Sequence, residues 1–175
     1  MRRLLLYLSL ASLLAVMAIL TAAAPPPAGM DLPSYTADGK LKRPAGFRNW
    51  VFAGASLGLS YAEVSNQAPP GRMHNVYLQP EAYQHYLKTG TFPEKTMFAL
   101  VLYEPRQKES ISKHGYFSGK LSAVEIAVKD SERFEEGWAY FDFGAETKEA
   151  AEPFPKDRCF ACHHQNGQVD NVFVQ

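Results

Sequence analysis

Apolar and polar side chains alternate in several segments after residue 50, which is the pattern of strands that bury one face. In the segment GWAYFDFG, Ala139, Phe141 and Phe143 fall on one face, while Tyr140 and Asp142 fall on the other. Similar patterns occur at Trp50–Ser56, at Asn75–Gln79, at Thr96–Tyr103 and in the segment 115–130, where Val124, Ile126 and Val128 lie opposite Glu125. The pattern predicts about five strands, with a polar loop at 104–113.

One segment has helical spacing instead. In PEAYQHYLKTG, the residues Tyr83, Tyr86 and Leu87 form an apolar face at positions i, i+3 and i+4. Pro80 suits the first helical position and Gly90 suits the position just after the last turn. Together with the strands, this predicts a β-rich α+β fold: an antiparallel sheet of about five strands with a few short helices, one of them near the C-terminus.

The N-terminus has the layout of an export signal. Arg2 and Arg3 precede an apolar run that extends from Leu4 to Leu20, and the small residues that follow suit cleavage after Ala24. The run is also nearly long enough for an uncleaved anchor. We therefore expect a signal peptide or anchor at 1–24, a proline-rich spacer and lead-in at 25–44, a single domain at 45–175, and a periplasmic or otherwise exported protein.

The charge of the chain gives no support for nucleic acid as a partner. The chain has 18 basic and 18 acidic residues and no polybasic stretch, so nothing favours nucleic acid binding. Eleven Phe, nine Tyr and two Trp would suit either a dense core or the wall of a large, flat cofactor site.

The two cysteines of the chain both belong to the sequence RCFACHHQNG near the C-terminus. Cys159, Cys162 and His163 form a C-x-x-C-H motif, the spacing of covalent haem c attachment. Thiols at i and i+3 of a helical turn point the same way and can reach the two vinyl groups of one haem, while the adjacent imidazole can bind iron. A thioredoxin-type disulfide and a zinc site are the alternatives, although no second cysteine pair completes a zinc site. His164 is expected to be a solvent-facing neighbour.

The sixth iron position decides what a haem would do. An electron-transfer cytochrome fills it with Met or His, and Met73 and His74, at a loop–strand junction, are the best candidates here. Only twelve residues follow His163, none of them Met, and the chain lacks the four long amphipathic helices of a four-helix cytochrome. An open iron site on a β-rich scaffold is therefore favoured, with the Met73- or His74-ligated electron carrier as the alternative.

The chain resembles the cytochrome P-460 family, which includes the β-sheet cytochromes c′. The resemblance covers about residues 41–175 and is carried by FRNWVFAGASLGLSY, HNVYLQPEAYQHYLKTGTFPEKT, HGYFSGKLSAVEIAVKDSERF, GWAYFDFG and the C-x-x-C-H motif with DNVFVQ. It implies a homodimer with one covalent haem c per chain and five-coordinate iron on His163. The chemistry it implies involves small nitrogen species: hydroxylamine oxidation in one branch and nitric oxide binding in the other.

The resemblance also singles out two further positions. Lys88, in YLKTG, matches a lysine that one branch cross-links to the porphyrin, although a solvated lysine at a helix end would look the same. A distal carboxylate, which would accept a proton from hydroxylamine, aligns with Ala145, and Glu146 is the next residue. Ala145 has no carboxylate, and the carboxylate of Glu146 is displaced by one residue. Because adjacent residues of a strand point to opposite faces, Glu146 would point away from the substrate, which argues against efficient oxidation.

Overall fold

The computed structural model describes residues 24–59, 70–107 and 113–173. The expected signal or anchor at residues 1–23 lies outside this part of the chain. The strands are β1 (Leu41–Lys42), β2 (Val51–Leu57), β3 (Met73–Leu78), β4 (Met97–Arg106), β5 (Phe117–Lys129), β6 (Trp138–Asp142) and β7 (Ala150–Ala151). The α-helices are α1 (Pro80–Thr89) and α2 (Phe160–Asn166), and a short 3-10 helix spans Phe47–Asn49. Within the described ranges, no helix is long and apolar enough to cross a membrane.

Strands β2 to β6 form one antiparallel sheet in which spatial order follows chain order. A second, two-stranded sheet pairs β1 with β7. The predicted β-rich α+β class, with about five strands and a helix near the C-terminus, is confirmed. So are the ends of α1, because Pro80 occupies its first turn and Gly90 takes a left-handed conformation with φ of 72°.

The end of β4 corrects the sequence prediction. Residues 104–106 were assigned to a polar loop, but they continue the strand and pair with the start of β5 across two register shifts. Their side chains are mostly exposed, so this end of the long hairpin is held by backbone hydrogen bonds rather than by burial. Two strands can pair through their backbones in solvent, and their side chains can then be polar. The apolar pattern therefore ends before the strand does.

The two faces of the sheet carry separate apolar clusters. The core face holds the larger one, which includes Met97, Val101, Val124, Ile126, Phe141 and Phe143. The opposite face, called here the motif face, buries Leu78 and Trp138 against α1, with Phe98, Ala127 and Tyr140 partly buried beside them. Phe160 of α2 packs on this same cluster. The sheet alternation therefore places α1 and the C-x-x-C-H motif on one side.

The folded unit extends beyond the expected boundary at residue 45. Met30 is buried in the cluster of the motif face, and Leu41 is fully buried in the core-face cluster. Leu41 belongs to β1, whose partner β7 lies more than a hundred residues further along the chain. Part of the expected lead-in is thus packed against the domain.

Candidate functional site

The C-x-x-C-H motif forms the beginning of α2. Cys159 immediately precedes the helix, and the His163 backbone N–H donates to the Cys159 carbonyl at 3.1 Å. Cys162 lies one turn after Cys159, as the spacing predicts. Both thiols are free and partly buried. The first turn of α2 and the residue before it therefore present two thiols and one imidazole within five residues.

The His163 imidazole is enclosed by aromatic rings. Its centroid lies 4.6 Å from that of Tyr140 on β6 and 4.7 Å from that of Phe173. Burial lowers the pKa of His163, and its hydrogen bond to Asn171 opposes that shift in part. The ring is therefore held neutral near pH 7, which is the state that binds a metal.

The tautomer of His163 follows from its partner. Nδ1 lies 2.9 Å from the Asn171 carbonyl oxygen. A carbonyl can only accept, so Nδ1 carries the proton and donates it. The lone pair on Nε2 is then left for a metal, in the arrangement that metal-binding histidines usually have.

An acidic residue lies close to the first thiol. Burial raises the pKa of Cys159, and the charge of Glu125 raises it further. Burial also raises the pKa of Glu125, and so does Asp142, its directly opposite partner on β6. A raised pKa reduces the fraction of the thiol that is present as the more reactive thiolate. The alternation of β5 had already placed Glu125 away from the core face, so this contact had a signal in the sequence.

These residues fit a covalent haem. Two free thiols one helical turn apart can form the two thioethers, and the neutral imidazole of His163 can supply the axial nitrogen. An isolated zinc ion would lack ligands. The described residues contain no group of three or more His, Cys, Asp or Glu side chains that could hold a metal ion. The donor set therefore favours haem c over zinc.

A tight turn after α2 supplies the partner of His163. Residues 167–173, called here the C-terminal turn, double back so that Val169 and Val172 bond to each other through their backbones. Asp170 and Asn171, the two central residues, have φ of 51° and 60°. Both residue types tolerate this left-handed conformation, as a type I′ turn requires. The Asp-Asn pair is thus a turn signal in the sequence that lies outside the C-x-x-C-H motif.

Gly167 allows this turn to approach the helix. A Cβ at this position would lie 2.5 Å from the Asn171 carbonyl carbon and 2.7 Å from the His163 carbonyl oxygen. The φ of Gly167 is an ordinary −68°, so space is the constraint here, not backbone conformation.

We expect Gly167→Ala to destabilise the holoprotein by about 1–3 kcal/mol, because the added methyl group must displace backbone. The melting temperature should fall by several degrees. Gly54→Ala is the matched control, since a Cβ there meets nothing within 4 Å. Thermal unfolding followed by circular dichroism measures both. Equal melting temperatures for the two variants would contradict this account of the turn.

His164 lies on the exposed side of α2. Its ring stacks on Phe160, with centroids 5.4 Å apart, and its Nδ1 lies 3.1 Å from the Asn171 side-chain oxygen. The predicted solvent-facing position is confirmed, and the side chain has a partner there.

Lys88 is exposed in the last turn of α1. It lines an open cavity of about 320 Å³ together with Pro27, Pro80, Glu81, Gln84 and His85. Because α1 and α2 pack on the same apolar cluster, Lys88 belongs to a helix on the motif face. The proposed cross-link to the porphyrin stays a prediction.

Ala145 and Glu146 lie in the turn that follows β6. Ala145 is exposed. The Glu146 carboxylate lies 2.5 Å from Arg48 Nη1 and 3.8 Å from Arg43 Nη1. Arg48 in turn covers the ring of Phe47, which belongs to the core-face cluster. The structure therefore brings Glu146 together with two arginines on the side of the sheet opposite the motif.

Met73 and His74 are adjacent on β3 and point to opposite faces. Met73 pairs in register with Tyr103, which packs on the core-face cluster. His74 lies on the motif face, partly buried, with Nδ1 3.3 Å from the Ser56 hydroxyl. Of the two candidate sixth ligands, only His74 shares a face with His163.

Comparison with known proteins identifies the family. A comparison with curated protein sequences found no match. The family model Cytochrome P460 matches residues 44–174, which are three quarters of the chain and include β2 to β7, both α-helices and the whole C-x-x-C-H motif. The chain therefore belongs to the cytochrome P460 family.

Proposed function

We propose that this protein is an exported mono-haem c-type cytochrome whose iron keeps one axial position open for a small nitrogen species. The observation that carries the proposal is the geometry of His163, which is partly buried and has Nδ1 2.9 Å from the Asn171 carbonyl oxygen, so that Nε2 can bind iron. Cys159 and Cys162 would hold the haem through thioethers. The bound haem supplies a redox-active iron that can take a second, exchangeable axial ligand.

The placement of one of the two competing ligands supports an open axial position. Met73 lies on the core face, away from the motif. His74 shares the motif face, and its Nδ1 lies 3.3 Å from the Ser56 hydroxyl, which leaves Nε2 free, so His74 is the competing ligand that the test below has to exclude. The plain electron carrier with a Met73 or His74 ligand remains the alternative outcome of the test below.

The nature of the ligand comes from the family resemblance. Its members bind nitric oxide or oxidise hydroxylamine, both of which are small, uncharged nitrogen compounds near pH 7. The rings of Tyr140 and Phe173 flank the His163 imidazole and would hold it in place beside the haem. We extend the proposal to these two ligands.

The absorption spectrum of the holoprotein tests the proposal directly. A high-spin ferric spectrum, haem retained through acid–acetone extraction, and saturable one-to-one binding of nitric oxide and hydroxylamine are the expected results. A low-spin spectrum that becomes high-spin in His74→Ala would establish the electron carrier instead. Complete extraction of the haem would rule out both the open-site cytochrome and the electron carrier, because both require a covalently attached haem.

Turnover of hydroxylamine is expected to be slow. Oxidation removes protons as well as electrons, so a base near the substrate should matter. The Glu146 carboxylate is already paired with Arg48 and Arg43, and Ala145 has no group that could accept a proton. Glu146 therefore does not offer a free base.

Where the family resemblance is right in matching Ala145 to the distal carboxylate, and provided that Lys88 is cross-linked to the porphyrin, Ala145→Glu should raise steady-state hydroxylamine oxidation by about 10²-fold or more, as a positioned base does. Glu146→Gln should leave the rate unchanged, and Ala145→Gln is the size-matched control without a basic group. An artificial electron acceptor reports the rate. Rapid wild-type oxidation that is lost in Glu146→Gln would instead make Glu146 the base.

We also propose export and a homodimer. The leader-like N-terminus supports export, and the family resemblance supports the dimer. Strand β2 is an edge of the main sheet and carries Phe52 and Leu57, with relative exposures of 55% and 43%. A second copy covering this edge would remove apolar surface from water. Light scattering of the wild type and of Phe52→Glu measures the assembly, and equal masses at the monomer value would contradict it.

A further inference from the structure

The C-terminal turn is anchored to the sheet by one carboxylate. Asp170 Oδ2 lies 2.5 Å from Lys129 Nζ, and Asp170 Oδ1 accepts from Trp138 Nε1 at 3.3 Å. Lys129 and Trp138 are directly opposite each other on β5 and β6. The carboxylate thus bonds to two adjacent strands at once.

This anchor is largely shielded from water. The Lys129 side chain is only 10% exposed, and its ammonium also donates to the Phe92 carbonyl at 2.8 Å. Trp138 is 3% exposed. A charged pair with such burial and additional hydrogen bonds has a defined geometry, which long side chains in solvent do not have.

The position of Asp170 is transmitted to the next residue. Asp170 and Asn171 are the central residues of the tight turn, so the direction of the Asn171 carbonyl depends on where the Asp170 side chain is held. That carbonyl accepts from His163 Nδ1. The close approach of Gly167 to Asn171 limits movement from the other side.

We propose that Asp170 is a positioning residue for the axial imidazole. Held between Lys129 and Trp138, it fixes the Asn171 carbonyl at His163 Nδ1 and so sets the orientation and electron-donor strength of the ligand. A partner that accepts the second N–H of a metal-bound histidine makes the imidazole more basic. This proposal rests on the proposed function, since it requires that His163 binds the iron.

The test compares three variants of the holoprotein. Asp170→Asn removes the charge at nearly constant size, and Trp138→Phe removes the weaker hydrogen bond together with part of a buried ring. Glu149→Gln is the control, because it breaks a salt bridge to Arg43 that is 2.9 Å long and whose glutamate is 88% exposed, at the β1–β7 sheet. Two measurements are made on each: the iron–histidine stretching frequency of the ferrous protein by resonance Raman, and the midpoint reduction potential.

Asp170→Asn should lower the stretching frequency and raise the potential, because a less basic imidazole stabilises ferric iron less. A tenfold loss of the imidazole's preference for the ferric state corresponds to about 59 mV. Trp138→Phe should shift both quantities in the same direction by less, and Glu149→Gln should match the wild type.

Unchanged frequency and potential in a folded Asp170→Asn holoprotein would overturn the positioning role. If that variant does not fold, Trp138→Phe decides by the same criterion. The two proposals fail in different ways. If the iron–histidine stretching band of the wild type is still present in His163→Ala, the proposed function is overturned, and the positioning role with it. A His163-dependent band that is insensitive to Asp170 and Trp138 would overturn the positioning role alone.

Discussion

Replacing both cysteines, as in Cys159→Ala/Cys162→Ala, should abolish covalent haem attachment, because the chain contains no other thiol. Each single variant should keep at most one thioether, which shifts the band of the reduced pyridine haemochrome to longer wavelength. Mass spectrometry of the denatured protein measures the bound haem mass directly. Ser131→Ala, an exposed change elsewhere, is the control and should carry a full haem. Full covalent haem in both single variants would rule out the C-x-x-C-H motif as the attachment site.

His163→Ala should abolish normal axial ligation, while the adjacent His164→Ala should leave the spectrum nearly unchanged. The two imidazoles differ in surroundings although they are neighbours in the chain. His163 is packed between Tyr140 and Phe173, whereas His164 is exposed and stacks on Phe160.

The pair serves as an internal control, because both variants remove an imidazole from the same helix. Electron paramagnetic resonance of the ferric holoprotein reports the axial ligand. Imidazole added to His163→Ala should restore much of the wild-type signal by occupying the vacated space. Equal losses in the two variants would show that the assignment of the axial ligand to His163 is wrong.

Local patterns were sufficient for most of the fold. The sheet strands followed from the two-residue period, and α1 followed from Tyr83, Tyr86 and its terminal Pro80 and Gly90. The extension of β4 to Arg106 could not be predicted in this way, because its exposed residues depend on a partner strand and not on burial. Nor could the burial of Leu41, which requires strand β7 from the far end of the chain.

In the candidate site, too, the local arrangement could be predicted from the sequence and the long-range contacts could not. The placement of Cys159, Cys162 and His163 on one helical turn followed from their spacing, and their role in binding haem stays a prediction. The contact between Lys129 and Asp170, which anchors the C-terminal turn, could not be predicted. The two residues are 41 positions apart, and the sequence around a lysine in a strand does not indicate which residue it pairs with. Lys88 and Ala145 depend on distances to a bound group, which no local pattern encodes.

The consecutive order of the five sheet strands has a consequence for folding. Each of these strands pairs with its chain neighbour across a connection of 18 residues or fewer, so the sheet can form strand by strand. The contacts of Asp170 with Lys129 and Trp138 span 41 and 32 positions and require the finished β5–β6 pair. The segment that bears both thiols therefore docks late. We therefore expect Cys159 and Cys162 to stay accessible until then, so that a haem could be attached before the turn closes over His163.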